Sequence, residues 1–277
     1  MATPKLARLR LPAADGGILA VDIRSGARPG ERRPVLVICH GFKGFQRWGF
    51  FPKVAERFAL GGYTAVTFNF SGSGVSGEAE AVDEPERWFR QTLTGDLADL
   101  VSVIDHFAAA GPPWIGLLGH SRGGATAVLQ AARDPRIGGL VTWAAVSTFQ
   151  RYSPEERERW RREGRLDVTN ARTGQVLPMG LESLDDLERN AAGPLDVLGA
   201  AARIRIPWLI AHGAADESVP VAEAEALASA AQPGIARLLS VDGAGHTFGI
   251  RHPWAGTAAE FELLLRESVA FLGATLP

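Results

Sequence analysis

Short apolar runs alternate with helix-like patterns along most of the chain. The runs predict strands, and the most continuous of them are typical of strands buried on both faces of a sheet. They lie at residues 35–39, 63–70, 114–118, 137–144, 206–211 and 237–241. Between them, helices are predicted over residues 51–60, 92–110, 125–133, 221–231 and 256–272. Such an alternation predicts a parallel sheet with helices on both faces.

The N-terminal residues follow a different pattern, in which apolar and polar side chains alternate. Residues 6–11 and 18–24 do so on either side of Asp15-Gly16-Gly17. Two such segments around a glycine-rich turn predict a hairpin. Because polar alternation is typical of a strand with one solvated face, we expect this hairpin at the edge of the sheet.

Residues 146–203 interrupt the alternation of strands and helices. The elements predicted in this segment are a strongly charged helix over 154–165, a hairpin over 166–177 and a helix over 183–190 with Ser183 as its N-cap. The segment is too short to bury much of a core by itself. We therefore interpret it as a small lid over the carboxyl edge of the sheet, inserted in a single domain of residues 1–277.

Composition and charge narrow the class of protein. With 46% hydrophobic and 22% charged residues, the chain is typical of a soluble protein with a substantial core. The net charge of −2 gives no support for a nucleic-acid or membrane partner. No apolar run is long enough to span a membrane, and residues 1–11 lack the apolar stretch of a secretory signal. We expect a cytoplasmic protein. A homodimer is one assembly that the sequence leaves possible.

Cys39 is the only cysteine in the chain. An intrachain disulfide is therefore excluded. The position of Cys39 at the end of an apolar strand favours a small core residue over a nucleophile.

The sequence Gly119-His120-Ser121-Arg122-Gly123 lies between a predicted buried strand and a predicted helix. Strand, sharp turn and helix around Gly-x-Ser-x-Gly are the context of a nucleophile elbow. The glycines allow neighbouring backbone to pass close to the strained serine. The N-terminus of the following helix would favour an oxyanion beside Ser121.

Two later loops supply the partners that a serine nucleophile needs. A serine hydroxyl is a poor nucleophile at neutral pH and requires a base within hydrogen-bonding reach. His246 follows the last predicted strand and can take the proton of Ser121, while Asp216 follows the preceding strand and can fix the histidine tautomer. His252 is the main alternative base, and Glu217 is the main alternative acid.

Four motifs, each in a loop after a predicted strand, together resemble the α/β-hydrolase family. They are His40-Gly41, Gly119-His120-Ser121-Arg122-Gly123, His212-Gly213-x-x-Asp216 and Gly245-His246. Their order of nucleophile, acid and histidine is the one found in this fold. The resemblance covers nearly the whole chain. It implies the α/β-hydrolase fold, with a mostly parallel eight-stranded sheet, helices on both faces and a small inserted lid.

The resemblance also implies an oxyanion hole and further candidates for the site. The backbone N–H groups of Arg122 and Phe42 are the expected oxyanion donors. His40 and His212 fit the positions of the family's loop-bracing histidines, and His120 should point away from the serine beside it.

Three residues are candidates for substrate binding. His40 is one of them, beside its position as a loop-bracing histidine. Trp143 and Phe149 are the others, because they flank the end of the strand that precedes the insertion. From there, either ring is expected to look into the site.

The identity of the nucleophile narrows the branch of the family. Ser121 argues against the dehalogenases and epoxide hydrolases, which use aspartate, and against the cysteine chemistry of dienelactone hydrolase itself. The short insertion and the His40-Gly41-Phe42 loop resemble bacterial cinnamoyl/feruloyl-type esterases, and the chain also resembles dienelactone-hydrolase-like esterases.

This resemblance predicts a carboxylic ester hydrolase that works through an acyl-enzyme intermediate. Small or aromatic, cinnamoyl-like acyl esters are the expected substrates, and no cofactor or metal is expected. An oligopeptidase-like peptidase, a thioesterase and an acyl transferase are the alternatives among enzymes. A hydrolase fold that binds a ligand without turnover is the alternative outside them.

Overall fold

This computed structural model describes residues 4–28 and 30–277 of the chain. They contain a sheet of eight strands and a second sheet of two strands. In chain order the strands are β1 (Lys5–Pro12), β2 (Ile18–Ser25), β3 (Val35–Cys39), β4 (Thr64–Phe68), β5 (Ile115–His120), β6 (Ile137–Trp143), β7 (Arg165–Thr169), β8 (Val176–Gly180), β9 (Trp208–Gly213) and β10 (Ala236–Val241). The start of the predicted domain, and of the segment without a secretory signal, lies outside the described residues.

Helices occupy most of the connections between these strands. They are α1 (Phe51–Leu60), α2 (Pro85–Phe89), α3 (Leu93–Ala108), α4 (Arg122–Ala131), α5 (Pro154–Glu163), α6 (Leu181–Asn190), α7 (Val197–Ala201), α8 (Val221–Ala230) and α9 (Ala259–Gly273). None of the helices described has the length and hydrophobicity that a membrane span requires. The sequence did not indicate α2 and α7, which are too short to show an apolar repeat.

The large sheet has the strand order β1-β2-β4-β3-β5-β6-β9-β10. β1 pairs antiparallel with β2, and β2 with β4, whereas the other neighbours pair in parallel. The predicted eight-stranded, mostly parallel sheet with an N-terminal edge hairpin is therefore confirmed. Parallel strands end at the same edge, so the loops after β3, β5, β9 and β10 lie next to one another.

Helices cover both faces of the sheet, as predicted. α1 and α9 pack on the face that includes Leu36 and Leu118, and α3, α4, α7 and α8 pack on the face that includes Val37 and Leu117. β3 and β5 are consequently buried at every position. Cys39 belongs to this core, where burial raises the pKa of its thiol. The prediction of a small core residue is confirmed.

Some boundaries differ from the predicted ones for local reasons. β4 ends at Phe68 because the Asn69 side chain donates to the Val75 carbonyl, at 2.9 Å, and a 3₁₀ turn follows at Ser71–Ser73. α4 begins three residues earlier than predicted, at Arg122, since Ser121 itself occupies the N-cap position.

The segment 146–203 contains the predicted hairpin, in which β7 and β8 pair antiparallel. The buried apolar side chains of α5, the hairpin and the start of α6 gather in a separate cluster around Trp160 and Met179 that includes Trp88, whereas Phe149 and Leu187 belong to the main core. The interpretation of the segment as a lid stays a prediction.

The predicted cap of the second helix in this segment is wrong. α6 begins at Leu181, directly after β8, and Gly180 is its N-cap. Ser183 therefore lies inside the first turn. Its hydroxyl donates instead to the Gln91 carbonyl, at 2.5 Å.

The turn between β5 and α4 is tightly constrained. Ser121 has φ 56° and ψ −123°, a left-handed conformation that a residue with a Cβ rarely adopts. A Cβ on Gly119 would overlap the Gly123 carbonyl, and one on Gly123 would overlap the carbonyls of Cys39 and His40. The two glycines thus allow α4 to pack against the ends of β3 and β5.

Replacing Gly123 with alanine should lower the free energy of unfolding by about 3 kcal/mol, because backbone carbonyls cannot move aside as side chains do. Urea denaturation followed by circular dichroism measures this change. Gly273→Ala is the matched control, since a Cβ there meets nothing within 4 Å. Equal effects of the two substitutions would contradict the packing argument.

Candidate active site

Ser121, His246 and Asp216 form a hydrogen-bonded series at the carboxyl edge of the sheet. Ser121 Oγ lies 3.1 Å from His246 Nε2, and His246 Nδ1 lies 2.8 Å from Asp216 Oδ2. Because a carboxylate only accepts, Nδ1 carries the proton and Nε2 accepts from the serine hydroxyl. The arrangement can transfer the serine proton to the imidazole and balance the resulting charge with the carboxylate.

The Asp216 carboxylate is held in place by more than the histidine. Its Oδ1 accepts from the backbone N–H groups of Ser218 and Val219, each at 2.9 Å. Burial alone would raise the pKa of Asp216, but the rings of His212 and His246 and the Val219 N–H outweigh it and hold the pKa well below its usual range. Asp216 is therefore ionised and can accept the hydrogen bond of His246 Nδ1.

Two buried histidines brace the backbone of the site. His40 Nε2 accepts from the Phe70 N–H at 3.2 Å, so its Nδ1 carries the proton and donates to the Gly41 carbonyl at 2.9 Å. His120 Nε2 donates to the His246 carbonyl at 2.9 Å. Burial lowers the pKa of His40 to about 4 and that of His120 to about 3, so both rings are neutral braces.

His212 supports the acid in the same manner. Its Nε2 donates to the Val219 carbonyl at 2.8 Å and lies 3.4 Å from Asp216 Oδ2. The ring is fully buried. It thereby closes the loop that presents Asp216 to His246.

The loop after β3 lies directly against the nucleophile. A Cβ built on Gly41 would lie 2.9 Å from Ser121 Cβ and 3.1 Å from the His120 carbonyl. Within the described residues, the backbone N–H groups of Phe42 and Arg122 donate to no protein acceptor. Two free donors on either side of a serine hydroxyl are what an oxyanion hole needs.

A cavity of about 470 Å³ opens beside Ser121 and His246. The size is that of a small-molecule site. Its wall is mostly apolar and includes Phe42, Leu93, Val146, Phe149, Tyr152, Trp160, Met179, Leu187 and Val219, with Gln91, Ser183, Lys43 and Arg151 as polar members. In the part of the chain that the structure describes, no aspartate or glutamate lines this wall.

Two candidates for substrate binding are wrong. Trp143 is fully buried away from the cavity, where its indole N–H donates to Ser268 Oγ at 2.9 Å under α9. The ring of His40 lies behind the loop as a brace and does not reach the cavity wall. Phe149, by contrast, does line the cavity.

The alternative acid and base do not join the series. His252 Nδ1 accepts from the Gly49 N–H at 3.0 Å, and its Nε2 lies 3.3 Å from Glu80 Oε2. Glu217 is exposed next to Asp216, and within the described residues it forms no hydrogen bond with His246, which pairs with Asp216 instead. Among the described residues, no group of three or more His, Cys, Asp or Glu side chains is arranged to hold a metal ion.

Several residues of the site could not be found from the sequence. Tyr152, Trp160 and Met179 line the same cavity as Ser121, although they lie in the segment 146–203, far from Ser121 in sequence. The one usable signal was that a tryptophan interrupts the charged helix at position 160. Burial raises the pKa of Tyr152, whose ring packs edge-on against Trp160.

Residues 30–173, just over half of the chain, match the family described as serine aminopeptidase, S33. The chain therefore belongs to this family and is a serine hydrolase of the α/β-hydrolase fold. No protein of curated function matches the sequence.

Solved structures show the same fold. Est1E from Butyrivibrio proteoclasticus, with ferulic acid bound, aligns with a TM-score of 0.73 at 20% identity, over 96% of this chain and 98% of that one. A putative hydrolase from Agrobacterium vitis S4 aligns with a TM-score of 0.74 at 20% identity, over 99% of both chains. An acylaminoacyl peptidase from Pyrococcus horikoshii aligns with a TM-score of 0.69 at 17% identity, over 100% of this chain and 42% of that one. At these identities the likeness shows the fold alone.

Acidification should destabilise the protein through the two neutral histidines. Because the pKa values of His40 and His120 are lowered in the folded state, the unfolded chain binds more protons than the folded one below about pH 6.5, and stability decreases as the pH is lowered. At pH 5 each ring should remove on the order of 2 kcal/mol relative to pH 7. Urea titrations at the two pH values measure the loss.

His40→Gln should show a smaller loss between pH 7 and pH 5 than the unmodified protein. His106→Gln, at an exposed position on α3, is the control and should leave the difference unchanged. An unaltered pH dependence in His40→Gln would refute the assignment of a buried neutral ring.

Proposed function

We propose that the protein is a carboxylic ester hydrolase that works through an acyl-enzyme intermediate on Ser121. The observation that carries the proposal is the hydrogen-bonded series from Ser121 Oγ through His246 to Asp216, at the mouth of an apolar cavity. Ser121 is the nucleophile, His246 the general base and acid, and Asp216 the group that orients the imidazole.

The reaction follows from the positions of these groups. His246 Nε2 accepts the proton as Ser121 Oγ attacks the ester carbonyl, and the N–H groups of Phe42 and Arg122 stabilise the oxyanion. His246 then returns the proton to the leaving alcohol as the ester C–O bond breaks. A water molecule, deprotonated by the same nitrogen, then attacks the acyl-enzyme. The bond between the acyl carbon and Ser121 Oγ breaks, His246 returns the proton to Oγ, and the carboxylic acid is released.

The cavity wall supports aromatic or other compact apolar acyl groups as substrates. Phe149, Tyr152 and Trp160 offer aromatic faces on which a planar acyl group can pack. The TM-score of 0.73 with Est1E, which binds ferulic acid in its structure, is consistent with a cinnamoyl-like acyl group.

The charges of the cavity wall favour an ester over an aminopeptide. An aminopeptidase must bind the ammonium group of its substrate, for which a carboxylate is the usual partner. In the described part of the chain, the wall carries Lys43, Arg122 and Arg151 but no carboxylate. An aminoacyl nitroanilide should therefore be a far poorer substrate than an aryl ester of the same size.

Ser121→Ala should abolish hydrolysis of an activated aryl ester, because no other hydroxyl lies within reach of His246 Nε2 in the described residues. Release of nitrophenol measures the rate, and a fluorophosphonate probe measures labelling. Ser71→Ala, which alters another serine after a strand end, should keep normal rates. Near-normal turnover by Ser121→Ala would sink the proposal, and so would an unlabelled Ser121 in the parent protein.

Phe149→Ala should raise KM for a cinnamoyl ester about tenfold, since a buried phenyl ring that packs against the acyl group is lost. An acetyl ester of the same alcohol is too short to reach this ring and should keep its KM. Steady-state kinetics on the two esters make the comparison. An equal rise in both would argue against Phe149 in the acyl pocket.

A further inference from the structure

The side chain of Arg122 contacts the ring of Phe42, and these are the two residues expected to supply the oxyanion donors. Its guanidinium carbon lies 4.8 Å from the centre of the Phe42 ring, a cation–π contact. Its Nη1 donates to Gln91 Oε1 at 2.8 Å, and its Nη2 lies 3.3 Å from Asp96 Oδ2. The side chain is only 15% exposed, and these three partners hold it in place.

The partner carboxylate is itself an uncommon feature. Asp96 lies in the first turn of α3 with 2% of its side chain exposed, and its Oδ1 has no hydrogen-bond partner among the described residues. Burial raises the pKa of Asp96 to about 7, Arg122 opposes that shift, and Asp99 and Asp186 add to it. A buried carboxylate beside two other acids costs stability unless a cation faces it, and Arg122 is that cation.

The Phe42 ring is also linked to Gln91, the residue that binds Arg122, through Trp88. It stacks on Trp88, with ring centres 5.3 Å apart and planes inclined by 26°. Gln91 Nε2 in turn donates to the Trp88 carbonyl at 3.0 Å. Gln91 thus contacts both the guanidinium and the backbone that carries the stacking partner of Phe42.

We propose that the Arg122 side chain is a positioning residue that aligns the oxyanion hole. The backbone N–H of Arg122 is fixed by its place at the start of α4, and the Arg122 side chain holds the Phe42 ring. Arg122 thereby fixes the distance between the backbone N–H groups of Phe42 and Arg122. The inference rests on the proposed function, because it concerns the stabilisation of an oxyanion formed at Ser121. The Arg122 side chain thus has a role in addition to that of the Arg122 backbone N–H, which alone was expected to act.

The same network reaches the segment 146–203. The Ser183 hydroxyl donates to the Gln91 carbonyl at 2.5 Å, and Asp186 accepts from the N–H groups of Leu93 and Thr94 at the start of α3. α6 therefore packs on the residues that hold Arg122. Placement of α6 and alignment of the oxyanion hole depend on one set of contacts.

The first test compares three variants on an acetyl aryl ester. Arg122→Met should lower kcat about 10- to 100-fold, below the roughly 10²- to 10³-fold cost of losing one donor, while KM changes less than about threefold. Arg122→Lys should be equally slow, because an ammonium group cannot bind Gln91 and Asp96 together while stacking on Phe42. Arg133→Met, which alters an exposed arginine just after the far end of α4, is the control and should keep the parent kcat.

Restoration of kcat by Arg122→Lys would overturn the inference, since charge alone would then suffice. An unchanged kcat in Arg122→Met would overturn it as well. If Arg122→Met fails to fold with Asp96 left unpaired, Arg122→Met/Asp96→Asn removes both charges. This double variant should show the same 10- to 100-fold loss of kcat, and a kcat equal to that of the parent would refute the proposal.

A double-mutant cycle tests the contact between the side chains of Phe42 and Arg122 directly. Phe42→Leu keeps the backbone N–H and removes the ring, so the kcat of Phe42→Leu/Arg122→Met should be no lower than that of the slower single variant. Multiplying losses would show that the two side chains act independently and would overturn the inference. Fluorophosphonate labelling of the parent protein separates the proposals: no label at Ser121 defeats the proposed function, whereas full label with an unchanged Arg122→Met kcat defeats only this inference.

Discussion

The close approach of backbone to backbone at the end of β5 is the constraint on which the rest of the site depends. α4 starts so near to β3 that Gly123 faces the carbonyls of Cys39 and His40 without room for a Cβ. The same contact brings the loop after β3 against Ser121, so nucleophile and free N–H donors meet without any long side chain to span the gap. The left-handed Ser121 is strained, and the packing of α4 maintains it.

Around this turn, buried histidines supply hydrogen bonds to loop carbonyls. His40, His120 and His212 each donate to a backbone oxygen of a loop that presents a reacting group. Burial keeps His40 and His120 uncharged, whereas His246, whose Nε2 lies 3.1 Å from Ser121 Oγ, is partly exposed. Support and chemistry are thus divided between residues of a single type by burial alone.

The sequence predicted those parts of the molecule that local physics determines. Glycine-rich turns after apolar runs marked Ser121, Asp216 and His246, because a tight turn at a strand end restricts the residue types that fit. The orientation of Trp143 was not predictable in this way. Successive side chains of a strand face opposite sides, and when both sides are apolar the sequence does not tell which one a given residue faces. Tyr152 and Trp160 were missed because their position depends on packing between segments distant in sequence.

The burial of Cys39 has a practical consequence. Its side chain is sealed in the core, and the raised pKa of its thiol keeps the sulfur protonated and unreactive. Since the chain has no second cysteine, the natural protein already provides a thiol-silent background. A cysteine introduced on the exposed surface of α5 would accept a single spectroscopic label, and its distance to a second label on the sheet would report where the segment 146–203 sits in solution.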